Sequence, residues 1–141
     1  MRRRHAAMLF TALLGTKPTL ASASTWFHGK WRSDPDLSLR NFGTRGVVAT
    51  AAIQEQWRQY FGKITLEFSE TKVHWVDEFP SPADKAEGKY RVSSSTGSTV
   101  TLEFLDGSIR RLRSGLTLYR SDPHLFIRSG SDNFEYFRRE A

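Results

Sequence analysis

The chain has 141 residues, no cysteine, 38% hydrophobic and 13% aromatic residues. That is enough for one domain with its own core, and it excludes disulfide stapling, thiol chemistry and a lipid-bearing N-terminal cysteine. The formal charge of +6 points at first toward a polyanionic partner, but that charge is concentrated at the start of the chain.

The opening "MRRRH" is basic, "AAMLFTALL" (Ala6 to Leu14) is a short apolar run, and Pro18 precedes the small-residue pattern Ala21-Ser22-Ala23. This is the layout of a secretory signal peptide with an A-x-A cleavage site. The run is well short of the roughly 18 residues that cross a bilayer. The expected organisation is therefore a signal peptide over 1–23 and one domain over 24–141, periplasmic or secreted, with no transmembrane segment in the mature chain. Cleavage there removes four of the 21 basic residues and none of the 15 acidic ones, which leaves a net charge of +2. So small a charge gives no electrostatic case for nucleic acid.

The mature chain begins with "TWFHGKWRSDP", in which "HGKWRS" is a short strand candidate. Asp34 to Gly46 is turn-rich and polar and reads as a connection. From about Val47 to Phe61 the period is helical: Ile53, Trp57, Tyr60 and Phe61 fall on one face, and Gly62 follows where a C-terminal cap belongs. From Lys63 the period becomes two. "KITLEFSE" alternates cleanly, and "KVHWVDEF" places Val73, Trp75 and Asp77 together. "EGKYRVSSS", "STVTLEFL", "GSIRRLR", "GLTLYRS", "HLFIRSG" and "NFEYFRR" complete the set, separated by closely spaced turn residues.

Short connections make neighbouring strands antiparallel, and closure removes the two edges of so long a sheet. The fold class is mainly β: a single up-and-down antiparallel barrel of about eight strands, with one amphipathic helix near the N-terminus as plug or lid. The alternative is a strongly curved open sheet packed on the helix. The expected core includes Phe68, Trp75, Phe104, Phe126, Phe134 and Tyr136.

A first strand carrying Gly29-x-Trp31, followed by a meander, resembles the lipocalin or calycin group of barrels, in particular short bacterial lipocalin-like proteins. The resemblance implies that Trp31 closes one barrel end, that an arginine of the last strand, Arg138 or Arg139, packs across its ring as a latch, and that the barrel binds a small apolar or amphipathic ligand. Unlike in that group, the helix here follows the first strand.

Asp106-Gly107 between two strand runs signals a two-residue hairpin. Such a turn pairs Leu102 with Arg111 and Val100 with Arg113, which points Arg111, and Arg113 nearer the rim, into the barrel. An inward arginine needs an anionic partner; Asp77 or the acidic end of a ligand would serve. A bulge or longer loop would instead send Leu112 inward and leave the arginines in water. Trp57, Tyr60 and Trp75 either line the same ligand site or form core.

Nothing assembles into catalysis. His28, His74 and His124 are scattered, with no HExxH and no cysteine partner, and no serine sits in a Gly-x-Ser-x-Gly elbow. No cofactor and no metal site are indicated. The expected function is an exported binding protein for a small amphipathic molecule, without catalysis. The alternative is an envelope module, of inhibitor or immunity type, that binds a protein partner and has a barrel filled by side chains. The size of the interior space separates the two.

Overall fold

The computed structural model describes residues 25–42, 50–79, 84–106, 115–129 and 133–141. The expected leader over 1–23 and the strand candidate "GSIRRLR", with Arg111 and Arg113, lie outside the described residues.

Eight strands form one closed antiparallel barrel in sequence order: β1 (Gly29–Ser33), β2 (Ile64–Phe68), β3 (Lys72–Asp77), β4 (Asp84–Ser95), β5 (Thr99–Phe104), β6 (Leu116–Ser121), β7 (His124–Ser129) and β8 (Asn133–Arg139). Two short helices, α1 (Pro35–Arg40) and α2 (Ala51–Arg58), stand between β1 and β2. The first strand closes the sheet. Trp31 lies opposite Leu66 of β2 on one side and Arg139 of β8 on the other. The long β4 pairs its first half with β3 and its second half with β5, and a register shift between Val92 and Ser94 supplies the bend.

The alternation read in the sequence sets the inside of the wall. Leu66 and Phe68, Val73 and Trp75, Val100 and Leu102, Leu116 and Leu118, and Leu125 and Ile127 are all buried. With Phe27, Trp31, Tyr90 and Phe137 they make one core cluster. Four polar side chains are buried among the described residues: Ser33, Asp77 and Glu135 on the strands, and Ser38 in the stretch before β2.

Several expectations need correction. The stretch read as a connection contains α1. Asp34 caps it, its carboxylate accepting from the Leu37 N–H at 3.0 Å, and Pro35 occupies the first turn. Both are helix-start residues, and Leu39 is buried. The helix expected over 47–61 spans only Ala51–Arg58. Thr50 caps it, and none of its residues is buried, so α2 is no plug. Phe126, Phe134 and Tyr136 belong to the outer face. Leu125, Ile127, Glu135 and Phe137 point inward in their place.

The expected pairing across Asp106-Gly107 is also replaced. Leu102 lies opposite Leu116 and Val100 opposite Leu118. The positions assigned to Arg111 and Arg113 beside β5 are therefore held by β6.

Candidate functional site

The two ends of the barrel are built differently. One end is closed by the Gly29-Lys30-Trp31 segment. The Arg139 guanidinium carbon lies 4.3 Å from the centroid of the Trp31 ring, a cation–π contact. Its two terminal nitrogens donate to the His28 and Trp26 carbonyls, each at 2.6 Å. The Trp31 indole donates to the Phe27 carbonyl at 2.7 Å. Gly29 has φ +114, and a Cβ there would sit 2.7 Å from an Arg139 nitrogen. A side chain would thus meet both a forbidden backbone region and the latch itself. Behind the latch, Phe27 packs edge-on against Phe68 at 5.3 Å. Arg138 is exposed and lies opposite Arg32 and His124. Of the two arginines named for the latch, Arg139 is the one over the indole.

The opposite end carries α1 and α2 and a run of rings. Phe42 lies 5.1 Å from Trp57, Trp57 5.2 Å from Tyr60, and Tyr60 5.1 Å from Phe79. Trp57, Tyr60 and Phe79 are 37%, 40% and 40% exposed. We call this run the aromatic ledge. It is tied down from several sides. Phe61 is buried and packs against Phe42. Arg58 bridges Asp36 of α1 at 3.2 Å and Glu55 at 3.3 Å. Gly62, with φ +79, passes so close to Pro35 that a Cβ would lie 3.3 Å from its ring. The Phe79 N–H donates to the Asp77 carboxylate at 2.9 Å.

Inside the wall at this end sit Ser33, Asp77 and Glu135. The Ser33 hydroxyl donates to the Glu135 carboxyl and accepts from the Gly62 N–H at 2.8 Å. Burial pushes the Glu135 carboxyl up to about 7; nearby Asp77 adds to the shift and the Ser33 hydrogen bond opposes it. Ile64 and Phe104, at the same end of their strands, are only partly buried against the core.

Of the residues named from the sequence, Trp57 and Tyr60 come together on the ledge, whereas Trp75 is buried in the core cluster. Phe42, Phe79, Ser33 and Glu135 were not singled out. The signal for Phe79 was its place directly after the inward set Val73, Trp75 and Asp77. Two hollows among the described residues, of about 650 Å³ beside α2 and about 390 Å³ on the outer wall of β1 to β3, both lie outside the barrel. The second is polar, and its Arg32 is paired with Glu78 at 3.5 Å and its His74 with Glu87 at 3.1 Å. Among the described residues no three His, Cys, Asp or Glu side chains gather as a metal set, and no helix is long and apolar enough to cross a membrane.

Comparison of the chain with protein-family models, with curated proteins and with solved structures finds no match.

Proposed function

We propose that this is an exported, lipocalin-like binding protein, without catalysis, that holds a small amphipathic molecule at the helix end of its barrel. The observation that carries the reading is the aromatic ledge: a continuous run of rings, three of them more than a third exposed, set above a barrel end that contains two carboxyl groups. Exposed rings offer the apolar body of a ligand large contact area, and the polar groups beneath offer its head hydrogen-bonding partners. The ligand lies across the mouth and not deep in the barrel, because the centre and the latch end are taken up by core side chains.

That filled centre favours a second reading, a module that binds a protein partner, with Trp57 and Tyr60 as anchor residues on its surface. Native mass spectrometry of protein isolated from its own envelope separates the two. A retained small molecule that is lost in Trp57→Ala and kept in a variant of the outer wall, such as Lys30→Ala, supports the first reading. A bare chain mass under conditions that keep a known carrier loaded counts against it.

A further inference from the structure

A line of hydrogen bonds runs from the barrel interior to the ledge. Glu135 of β8 is 2% exposed and Ser33, the last residue of β1, is 1% exposed. One oxygen of Ser33 serves both neighbours: it donates its proton to the Glu135 carboxyl and accepts the Gly62 N–H at 2.8 Å. Gly62 is the joint between the ledge and β2. Its carbonyl accepts from Arg32 at 3.4 Å, and Phe61 and Tyr60 precede it directly. The attachment of the ledge to the wall thus includes a bond whose acceptor is shared with a buried acid.

A hydroxyl has one proton and two lone pairs. When Glu135 is ionised, Ser33 must donate to it. The charge-assisted bond polarises the hydroxyl and leaves its lone pairs to Gly62. When Glu135 is neutral, its own O–H can donate to Ser33; the oxygen then accepts from both neighbours, its own proton turns away from Glu135, and the Gly62 bond loses the charge-assisted polarisation. Glu135 therefore selects between two hydrogen-bond arrangements at the joint. The groups around it, among the described residues, are few. Asp77 faces it from β3 and opposes its ionisation. Ile127 lies opposite on β7. Ser33 is its polar partner on β1, and on α1 Ser38 bonds the backbone of the adjacent Tyr136. Arg128 and Arg138 on β7 and β8 are exposed, and Arg32 on β1 is bonded to Gly62 and Glu78. Desolvation brings the exchange between the two arrangements to about neutral pH.

We propose that the Glu135–Ser33–Gly62 relay is a proton-driven switch that tightens and releases the attachment of the aromatic ledge to the barrel wall. The ionised form holds the joint; the protonated form loosens it. The switch concerns where the ledge sits and not what it binds, so it stands or falls separately from the ligand reading.

The test uses ligand-free, isotope-labelled protein followed by NMR between pH 5 and 8.5. The Glu135 carboxyl carbon, the Gly62 amide and the Trp57 ring signals should move with one shared midpoint. Amide protection at Gly62, after correction for intrinsic exchange, should fall by about tenfold on acidification. Glu135→Gln, whose amide can donate to Ser33 as the neutral acid does, should hold Gly62 in its low-pH position at every pH. In Ser33→Ala the Glu135 carboxyl should still titrate while Gly62 and Trp57 no longer follow it. That variant decides the matter if Glu135→Gln fails to fold. A Gly62 amide that stays put while Glu135 titrates in the unmodified protein overturns the proposal, as does a Gly62 that still follows Glu135 in Ser33→Ala.

Discussion

At the latch end, Arg139 lies on the Trp31 ring and binds two carbonyls, and the rings behind it are buried. At the helix end, rings of the same kind lie in the open, and the buried polar groups are two serines and two carboxyls. The same eight strands therefore end in a hydrophobic seal on one side and an amphipathic mouth on the other. Burying apolar surface is what stability asks for; leaving rings exposed and acids desolvated works against it. Under the proposed function the first end serves stability and the second binding, and substitutions at each end should sort accordingly.

The largest loss is expected at the seal. Trp31→Ala removes a 3% exposed side chain, the stacking surface for Arg139 and the hydrogen bond to Phe27. It should cost about 3–5 kcal/mol, the range for large aromatic truncations in a core. Denaturant titration measures it. A loss below about 1 kcal/mol would mean that the seal does not carry the fold.

The next effect is pH-dependent and belongs to the mouth. The Glu135 carboxyl is raised to about 7 in the folded protein and returns to the ordinary carboxylate range when unfolded. Between those values the folded state binds the extra proton. Stability therefore falls as pH rises through that window, and the full penalty is present above pH 7. His28 is lowered by burial, with Glu70 opposing, and acts with the opposite sign, so the comparison with a variant isolates Glu135. Glu135→Gln should stabilise the protein by about 2–3 kcal/mol at pH 8 and by little at pH 4.5. Equal effects at both pH values would break the assignment.

These two sites also show how far the sequence could be read. The barrel follows from period-two alternation and short turns, and Gly29-x-Trp31 marks the end that is sealed. The face of β8 is ambiguous in the sequence because "NFEYFRR" offers two alternating sets: Phe134 with Tyr136, and Glu135 with Phe137. Counting apolar residues selects the first, which brings Arg138 to the latch. Yet Arg139, which does lie on Trp31, shares its face with Phe137 and Glu135. The choice of latch arginine and the choice of inward face were one question, and joining them would have exposed the buried acid. The α1 helix is hard to see in the sequence because six residues are too few for a periodic signal; its capping pair Asp34-Pro35 is the available cue. Half of the ledge is legible, as Trp57 and Tyr60 share one periodic stretch; Phe42 and Phe79 are not, since they join it from two other stretches through tertiary contact.

Gly29→Ala gives a smaller effect at the seal and separates backbone from packing. The φ of +114 and the 2.7 Å approach to Arg139 act together: the backbone is strained and the guanidinium is displaced from its carbonyls. A destabilisation of about 1–3 kcal/mol is expected. In Gly29→Ala combined with Arg139→Ala the clash is gone, so the cost of the glycine change should shrink to the backbone part alone. Full additivity of the two substitutions, measured by a double-mutant cycle, would show that the glycine does not make room for the latch.

The smallest effect on stability, and the sharpest on function, belongs to the ledge. Trp57 and Tyr60 are 37% and 40% exposed; Trp57 sits on a helix with no buried residue, and Tyr60 follows just past its end. Trp57→Ala should therefore change unfolding free energy by no more than about 0.5 kcal/mol, roughly a tenth of the Trp31→Ala effect, although both remove the same side chain. Binding of an amphipathic naphthylamine probe, read by its fluorescence, should weaken at least tenfold in Trp57→Ala, which is about 1.4 kcal/mol. It should be unchanged in Arg138→Ala, whose side chain lies on the outer wall. Probe binding that survives Trp57→Ala but fails in core variants would place the site inside the barrel. A large stability loss in Trp57→Ala would make the ledge a second seal and erase the difference between the two ends.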